Sequence, residues 1–183
     1  MRTLAVTQNV TVDGAVEMLG DWFDPTADVD PALREESLRQ DDACDTVLLG
    51  RRTFEDFRSF WPGREDDETG VTAYLDRVEK VVVSSTLADP GWQRSTVLGG
   101  DVVAGVRRLK EQPGADIVTT GSITLVHALV LAGLVDEYRL FTYPVVQGRG
   151  RRLFPEGAPP ATLRLVEARA FDGGVSYARW ATS

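Results

Sequence analysis

Apolar residues along the chain follow two rhythms. Val47–Leu49, Val81–Val83 and Ile117–Val118 are short unbroken runs bounded by turn formers, which predicts strands buried on both faces. Phe54, Phe57, Phe60 and Trp61 instead recur at helical spacing, as do Leu125, Val126 and Leu129. Residues 2–8 predict a first strand, Pro31 opens a helix over 31–42, and 101–111 predicts a helix ended by Pro113-Gly114. "RSTVL" reads as a short strand, "PGREDDETG" as a solvated loop, and Gly133 as a helix cap. The tail alternates with period two on both sides of Asp172-Gly173-Gly174, a hairpin signature. The sum is about eight strands and four helices in one α/β domain with an antiparallel end. No linker, low-complexity segment or fixed-period repeat interrupts it.

Three predicted strand ends share one character. "GRRT" (50–53), "SST" (84–86) and "TTGSIT" (119–124) each follow an apolar run with small, hydroxylic or cationic groups. In open α/β sheets, ligands bind beyond the carboxyl ends of the strands. Arg51 and Arg52 sit at a predicted helix N-terminus, where free N–H groups and the macrodipole already make the site positive. A bound anion removes that conflict, since a helix N-terminus with guanidinium groups suits a phosphate. Two solvated arginines at a surface turn are the alternative reading. Neither GxGxxG nor GxxxxGK[ST] occurs, so a Rossmann fingerprint and a P-loop are both absent.

Composition narrows the partners. With 43% hydrophobic and 26% charged residues over 183 positions, the chain can bury a core without disulfides or metal. Its formal charge of −8 argues against a general nucleic-acid or anionic-membrane surface. Against that background, clustered arginines would steer a small anion to one place. One cysteine, Cys44, cannot form an intramolecular disulfide, and a single histidine leaves little room for a Cys/His zinc site; no metal is expected. The N-terminus lacks signal-peptide character, and no apolar run approaches the roughly 20 residues of a membrane span. A reducing, cytoplasmic setting is expected.

In order, "TVDGAV", "GRRTFE", "VVVSSTL", "TTGSITL" and "GLVDEYRLFTYPVVQGRGRRLFP" resemble the dihydrofolate-reductase-like superfamily. The similarity is greatest to the reductase domain of the bifunctional riboflavin-biosynthesis deaminase/reductase. It runs from about Leu4 to the final hairpin. The resemblance implies a twisted eight-stranded mixed sheet flanked by helices, with NADPH as hydride donor. It places Arg51 on the adenosine 2′-phosphate, with Gly50, Arg52 and Thr53 toward the pyrophosphate. Ser84, Ser85 and Thr86 match the turn beside the adenosine, and Gly121, Ser122, Ile123 and Thr124 match the turn whose amides meet the pyrophosphate. Two departures stand out. Gly121-Ser122 replaces a Gly-Gly pair that other members often join by a cis peptide. The carboxylate that holds a pterin in folate reductases has no convincing match in Glu35 or Glu36; its position is closer to Arg34. Folate reduction is therefore disfavoured.

Asp13, or water held by it, is the candidate proton source, and the resemblance also suggests Asp13 as a substrate contact, against a plain Asp-Gly turn. Trp22 is a candidate wall of the substrate pocket, against simple packing. His127, among apolar neighbours, reads as structural, and "QGRGRR" (147–152) as a shaped loop. The leading function is an NADPH-dependent reductase of a small heterocyclic or carbonyl substrate. A stand-alone 5-amino-6-(ribosylamino)uracil-phosphate reductase and a non-catalytic NADPH-binding protein are the alternatives. One His and one Cys cannot build the deaminase zinc site, so no deaminase activity is expected. The resemblance also implies a homodimer.

Overall fold

Adjacent residues on the central strands bury toward opposite sides. In a computed structural model that describes residues 1–26 and 30–183, Leu4, Val6, Leu48, Val81 and Ile117 enter one core. Their neighbours Ala5, Val47, Leu49, Val82 and Val118 enter another across the sheet. Strands sandwiched in this way need apolar side chains on both faces, hence the unbroken runs in the sequence.

The eight strands are β1 (Leu4–Thr11), β2 (Cys44–Gly50), β3 (Glu79–Val83), β4 (Ser95–Leu98), β5 (Asp116–Thr119), β6 (Glu137–Tyr143), β7 (Leu163–Ala170) and β8 (Ser176–Thr182). They form one sheet in the order β4-β3-β2-β5-β1-β6-β8-β7. Every pairing from β4 to β6 is parallel, while β8 runs antiparallel to both β6 and β7. The expected mixed sheet and C-terminal hairpin are present.

Helices cover both faces. On one side lie α1 (Pro31–Asp42), α2 (Arg51–Phe60) and α3 (Val71–Arg77); on the other lie α4 (Val102–Glu111) and α5 (Ile123–Leu131). Asp30 and Asp101 cap α1 and α4 by accepting from the amides of Ala32 and Ala104. Gly133, with φ +62, ends α5 where the sequence predicts its cap. Among the described residues five α-helices stand where the pattern predicts four. The extra one, α3, is a short two-turn segment that buries Leu75 and follows the acidic loop directly. Its apolar residues are too few for a periodic signal. Buried Lys80 secures its far end, donating from Nζ to the carbonyls of Leu75 (2.6 Å) and Val78 (3.1 Å). No described helix is long and apolar enough to cross a membrane.

Candidate functional site

The turns after β2 and β5 meet because their strands are neighbours, and the helices they open lie on opposite faces of the sheet. Two reciprocal bonds stitch them. The Gly50 amide donates to Ser122 Oγ (2.9 Å), and the Ser122 amide donates to Thr53 Oγ1 (2.9 Å). The Gly121 amide donates to Gln8 Oε1 on β1 (3.0 Å). Gly121 has φ +57, and a Cβ there would sit 3.0 Å from Thr53 Cγ2, so the closeness of the two turns depends on glycine. The peptide bonds of the described residues are all trans, Gly121–Ser122 among them. Ser122 also holds a positive φ, +42, in place of the family's second glycine.

This geometry revises one expectation. The amides of Gly121 and Ser122 are occupied within the protein, so the turn's N–H groups open to an anion belong to the helix that follows. No side chain caps α2 or α5, and neither carries an acidic residue in its first turn. Two helix N-termini thus open side by side with their first amides free of side-chain caps.

A cleft of about 1170 Å³ begins there. Gly50, Arg51, Arg52, Thr53, Gly121, Ser122, Ile123 and Thr124 all line it. The Arg51 guanidinium lies along its helix toward Glu55 (3.2 Å), an exposed pair of little strength. Arg52 has no ion-pair partner among the described residues. Ser84, Ser85 and Thr86 do not line the cleft. They stand at the end of β3, whose Val83 is in register with Gly50, and Ser84 Oγ accepts from the amides of Thr86 (3.1 Å) and Leu87 (3.0 Å).

From the arginines the cleft passes over the sheet end and runs between α1 and α2. Asn9 of β1, whose amide side chain has no hydrogen-bond partner among the described residues, faces it with Phe23, Phe57, Phe141 and Tyr143. Arg34, Ser37 and Asp41 line the α1 side. Of the three residues weighed for a pterin carboxylate, only Arg34 reaches the cleft. Glu35 is exposed outside it, and Glu36 is fully buried against Arg39 (2.6 Å) and Gln40 (2.9 Å).

Asp13 and Trp22 stand apart from the lining. The Asp13 carboxylate accepts from Thr11 Oγ1 (2.6 Å) and from the amides of Gln147 (3.1 Å) and Gly148 (2.9 Å). These donors, Thr11 first, lower its pKa to about 2. A carboxyl so held is a carboxylate near neutrality, and its hydrogen bonds give Asp13 a part in shaping this loop. Trp22 donates from Nε1 to Gln147 Oε1 (2.8 Å) and packs its ring behind Phe23 and Tyr143 at 5.4 Å from the latter. Gln147 also accepts from the Leu19 amide (3.0 Å) and donates to the carbonyls of Glu17 (2.9 Å) and Arg149 (2.8 Å). Asp13 and Gln147 therefore latch the loop of residues 12–26 onto the segment after β6, and that loop brings Glu17, Met18 and Phe23 to the cleft. His127 lies outside it, donating to the Arg152 carbonyl (2.9 Å). No group of His, Cys, Asp and Glu among the described residues is placed to hold a metal.

Sequence reasoning missed Asn9, the α1 face and α3. One signal was available: Asp41 and Asp42 end α1, where the macrodipole is negative, just as Arg51 and Arg52 begin α2, where it is positive.

The model of the RibD C-terminal domain family matches residues 2–177. The chain is 30% identical over 180 residues to the uncharacterised Bacillus subtilis protein YyaP, covering 95% of this chain and 92% of YyaP. A structure of a protein provisionally assigned to riboflavin biosynthesis, from Shewanella sp. PV-4, has TM-score 0.75 at 17% identity and covers 99% of both chains. A diaminohydroxyphosphoribosylaminopyrimidine deaminase/5-amino-6-(5-phosphoribosylamino)uracil reductase from Thermotoga maritima has TM-score 0.67 at 14% identity, over 100% of this chain and 57% of that longer one. At such identities the two structures share the fold. Sheet order, helix placement and the stitched turns thus come together with the family match: the chain belongs to the RibD C-terminal domain family.

Proposed function

We propose that the protein is an NADPH-dependent reductase of a small heterocyclic or carbonyl substrate. One observation carries this reading: two uncapped helix N-termini, joined by the Gly50–Ser122–Thr53 bonds, open beside two arginines with no strong internal partner. That donor set fits a dinucleotide phosphate. The first-turn amides of α2 and α5 would hold the pyrophosphate, and Arg51 and Arg52 the 2′-phosphate, with Ser84–Thr86 beside the adenosine. Bound NADPH would supply the hydride. The protein's part is then positioning and exclusion of water. Phe23, Phe57 and Tyr143 offer faces to a flat substrate, and Asn9 offers a donor and an acceptor to orient it. The latched loop keeps Phe23 over the cleft. The Thermotoga relative bears the name of a 5-amino-6-(5-phosphoribosylamino)uracil reductase, which supports a heterocyclic compound as the substrate class.

The test is steady-state NADPH oxidation against pterins, the riboflavin-pathway pyrimidine and small ketones. Oxidation that depends on one of these classes supports the reading. A protein that binds no NADPH overturns it.

We further infer that the working unit is a homodimer. β7 is the last strand of the sheet, none of its residues is fully buried, and Leu165 and Val166 are exposed. The period-two apolar pattern of this hairpin is thus unspent within one chain, and a second copy is the partner that would cover it.

A further inference from the structure

We propose that the end of the cleft between α1 and α3 seats a cationic tail of the substrate, with Asp41 as its counter-ion. The assignment to a substrate tail rests on reading the cleft as a reductase site.

Position comes first. Asp41 lines the cleft with Tyr74 and Leu75 of α3. The Tyr74 hydroxyl lies 3.4 Å from Cys44 Sγ, which fixes this end of the cleft at the start of β2. Gly50 and the arginines stand at the other end of the same strand. Six residue steps separate the two, roughly 20 Å along an extended backbone. The cleft is therefore cationic where its phosphate-type donors converge and anionic at its far end.

Chemistry comes second. α1 ends on Asp41 and Asp42, at the negative end of its own dipole. Asp42 is matched by Arg77 Nη1 (3.2 Å). Arg77 Nη2 goes to the main-chain carbonyl of Asp41 (2.9 Å), not to its carboxylate. Neither carboxylate oxygen of Asp41 receives a hydrogen bond among the described residues. Burial raises its pKa to about 7, with Arg77 opposing and Asp42 reinforcing the rise. The approach to it is apolar and aromatic, through Val47, Phe57, Trp61 and Val71. Arg34, the cleft cation on α1, is seven residues away along that helix, about 10 Å. A phosphate or carboxylate tail would meet an unmatched negative charge here. An ammonium or amidinium would supply the missing donor and let Asp41 ionise.

The test uses matched probes, 4-phenylbutylamine and 4-phenylbutyrate, titrated calorimetrically into the full chain at pH 8. A charge-assisted hydrogen bond corresponds to about a ten- to hundredfold gain. The amine is expected to bind tighter to the wild type than to Asp41→Asn by that factor, while the carboxylate gains or is unchanged in the variant. Asp41→Glu should keep the amine preference. Within the wild type alone, amine affinity should rise from pH 5.5 to 8.5 as Asp41 ionises. The other groups around Asp41 are Asp42, Arg77, Cys44 and Tyr74, and burial raises the last two further above this range. Equal amine affinity in wild type and Asp41→Asn overturns the proposal, as does flat pH dependence or a carboxylate preference in the wild type. NADPH titration reads the arginine end separately. Its failure strikes the reductase reading and leaves the amine result standing.

Discussion

Ser122 occupies a backbone conformation that favours glycine, and its hydroxyl explains why the side chain is there. A left-handed φ on a residue with a Cβ costs about 1–2 kcal/mol. The bond from the Gly50 amide to Ser122 Oγ returns a similar amount, about 1 kcal/mol, and fixes the turns after β2 and β5 against each other. Ser122→Ala should therefore destabilise by about 1–2 kcal/mol in urea unfolding, because it loses the bond and keeps the strain. Ser122→Gly should cost less, since it relieves the strain. Equal losses would mean that the left-handed backbone costs nothing, and no loss in Ser122→Ala would mean that the hydroxyl bond contributes nothing. Asp41 is the opposite case, a side chain the fold tolerates at a cost. Its raised pKa, about 7 against an unfolded value near 3.8, means that the folded chain binds the proton more tightly. Stability from this group is present below about pH 4 and is lost as pH rises toward 7. Asp41→Asn should accordingly be more stable than wild type at pH 8, with the gap closing by pH 4. A gap independent of pH would contradict that assignment.

At the scale of elements, the latched loop decides how the side of the cleft lined by Glu17, Met18 and Phe23 is closed. Asp13 accepts from the amides of Gln147 and Gly148, and the Gln147 side chain bonds to Glu17, Leu19 and Trp22, so five hydrogen bonds cross the join between residues 12–26 and the segment after β6. Asp13→Ala should leave NADPH affinity nearly unchanged while turnover falls and amide exchange at 145–148 quickens. Faster exchange marks a positioning role, which a group acting only on a proton would not show. Strands buried on both faces, the 31–42 helix, the capped helix end at Gly133 and the hairpin were legible because each carries its own periodicity or punctuation. So were the turns after β2 and β5 as polar strand ends, the first through arginines set against a helix dipole. The third helix was not, because Val71–Arg77 is too short to display a period and its burial depends on tertiary contact. The part Asp13 takes in the latch was not legible, because an Asp-Gly turn does not reveal which amides its carboxylate will meet. The α1 wall was missed because Arg34, Ser37 and Asp41 look like the solvated side of an ordinary helix until α2 and α3 pack opposite them.

The whole molecule is acidic, at −8, yet its cleft begins among arginines at the end of the sheet. That contrast would steer an anionic ligand to one place. The same scale governs assembly. If β7 is covered by a second copy, light scattering should report twice 20.1 kDa at micromolar concentration, and charges at Leu165 and Val166 should shift the protein toward monomer. A clean monomer in the wild type would remove the dimer from the account. The central claim, that the stitched turns and their arginines bind a phosphorylated dinucleotide, is tested most directly by titrating NADPH and NADH into wild type, Arg51→Ala and Arg52→Ala. Each charge-assisted hydrogen bond to the 2′-phosphate contributes roughly 1.5–3 kcal/mol. Wild type should prefer NADPH, loss of either arginine should weaken NADPH about ten- to a hundredfold, and NADH affinity should hardly move. Equal wild-type affinities for the two dinucleotides would contradict the account.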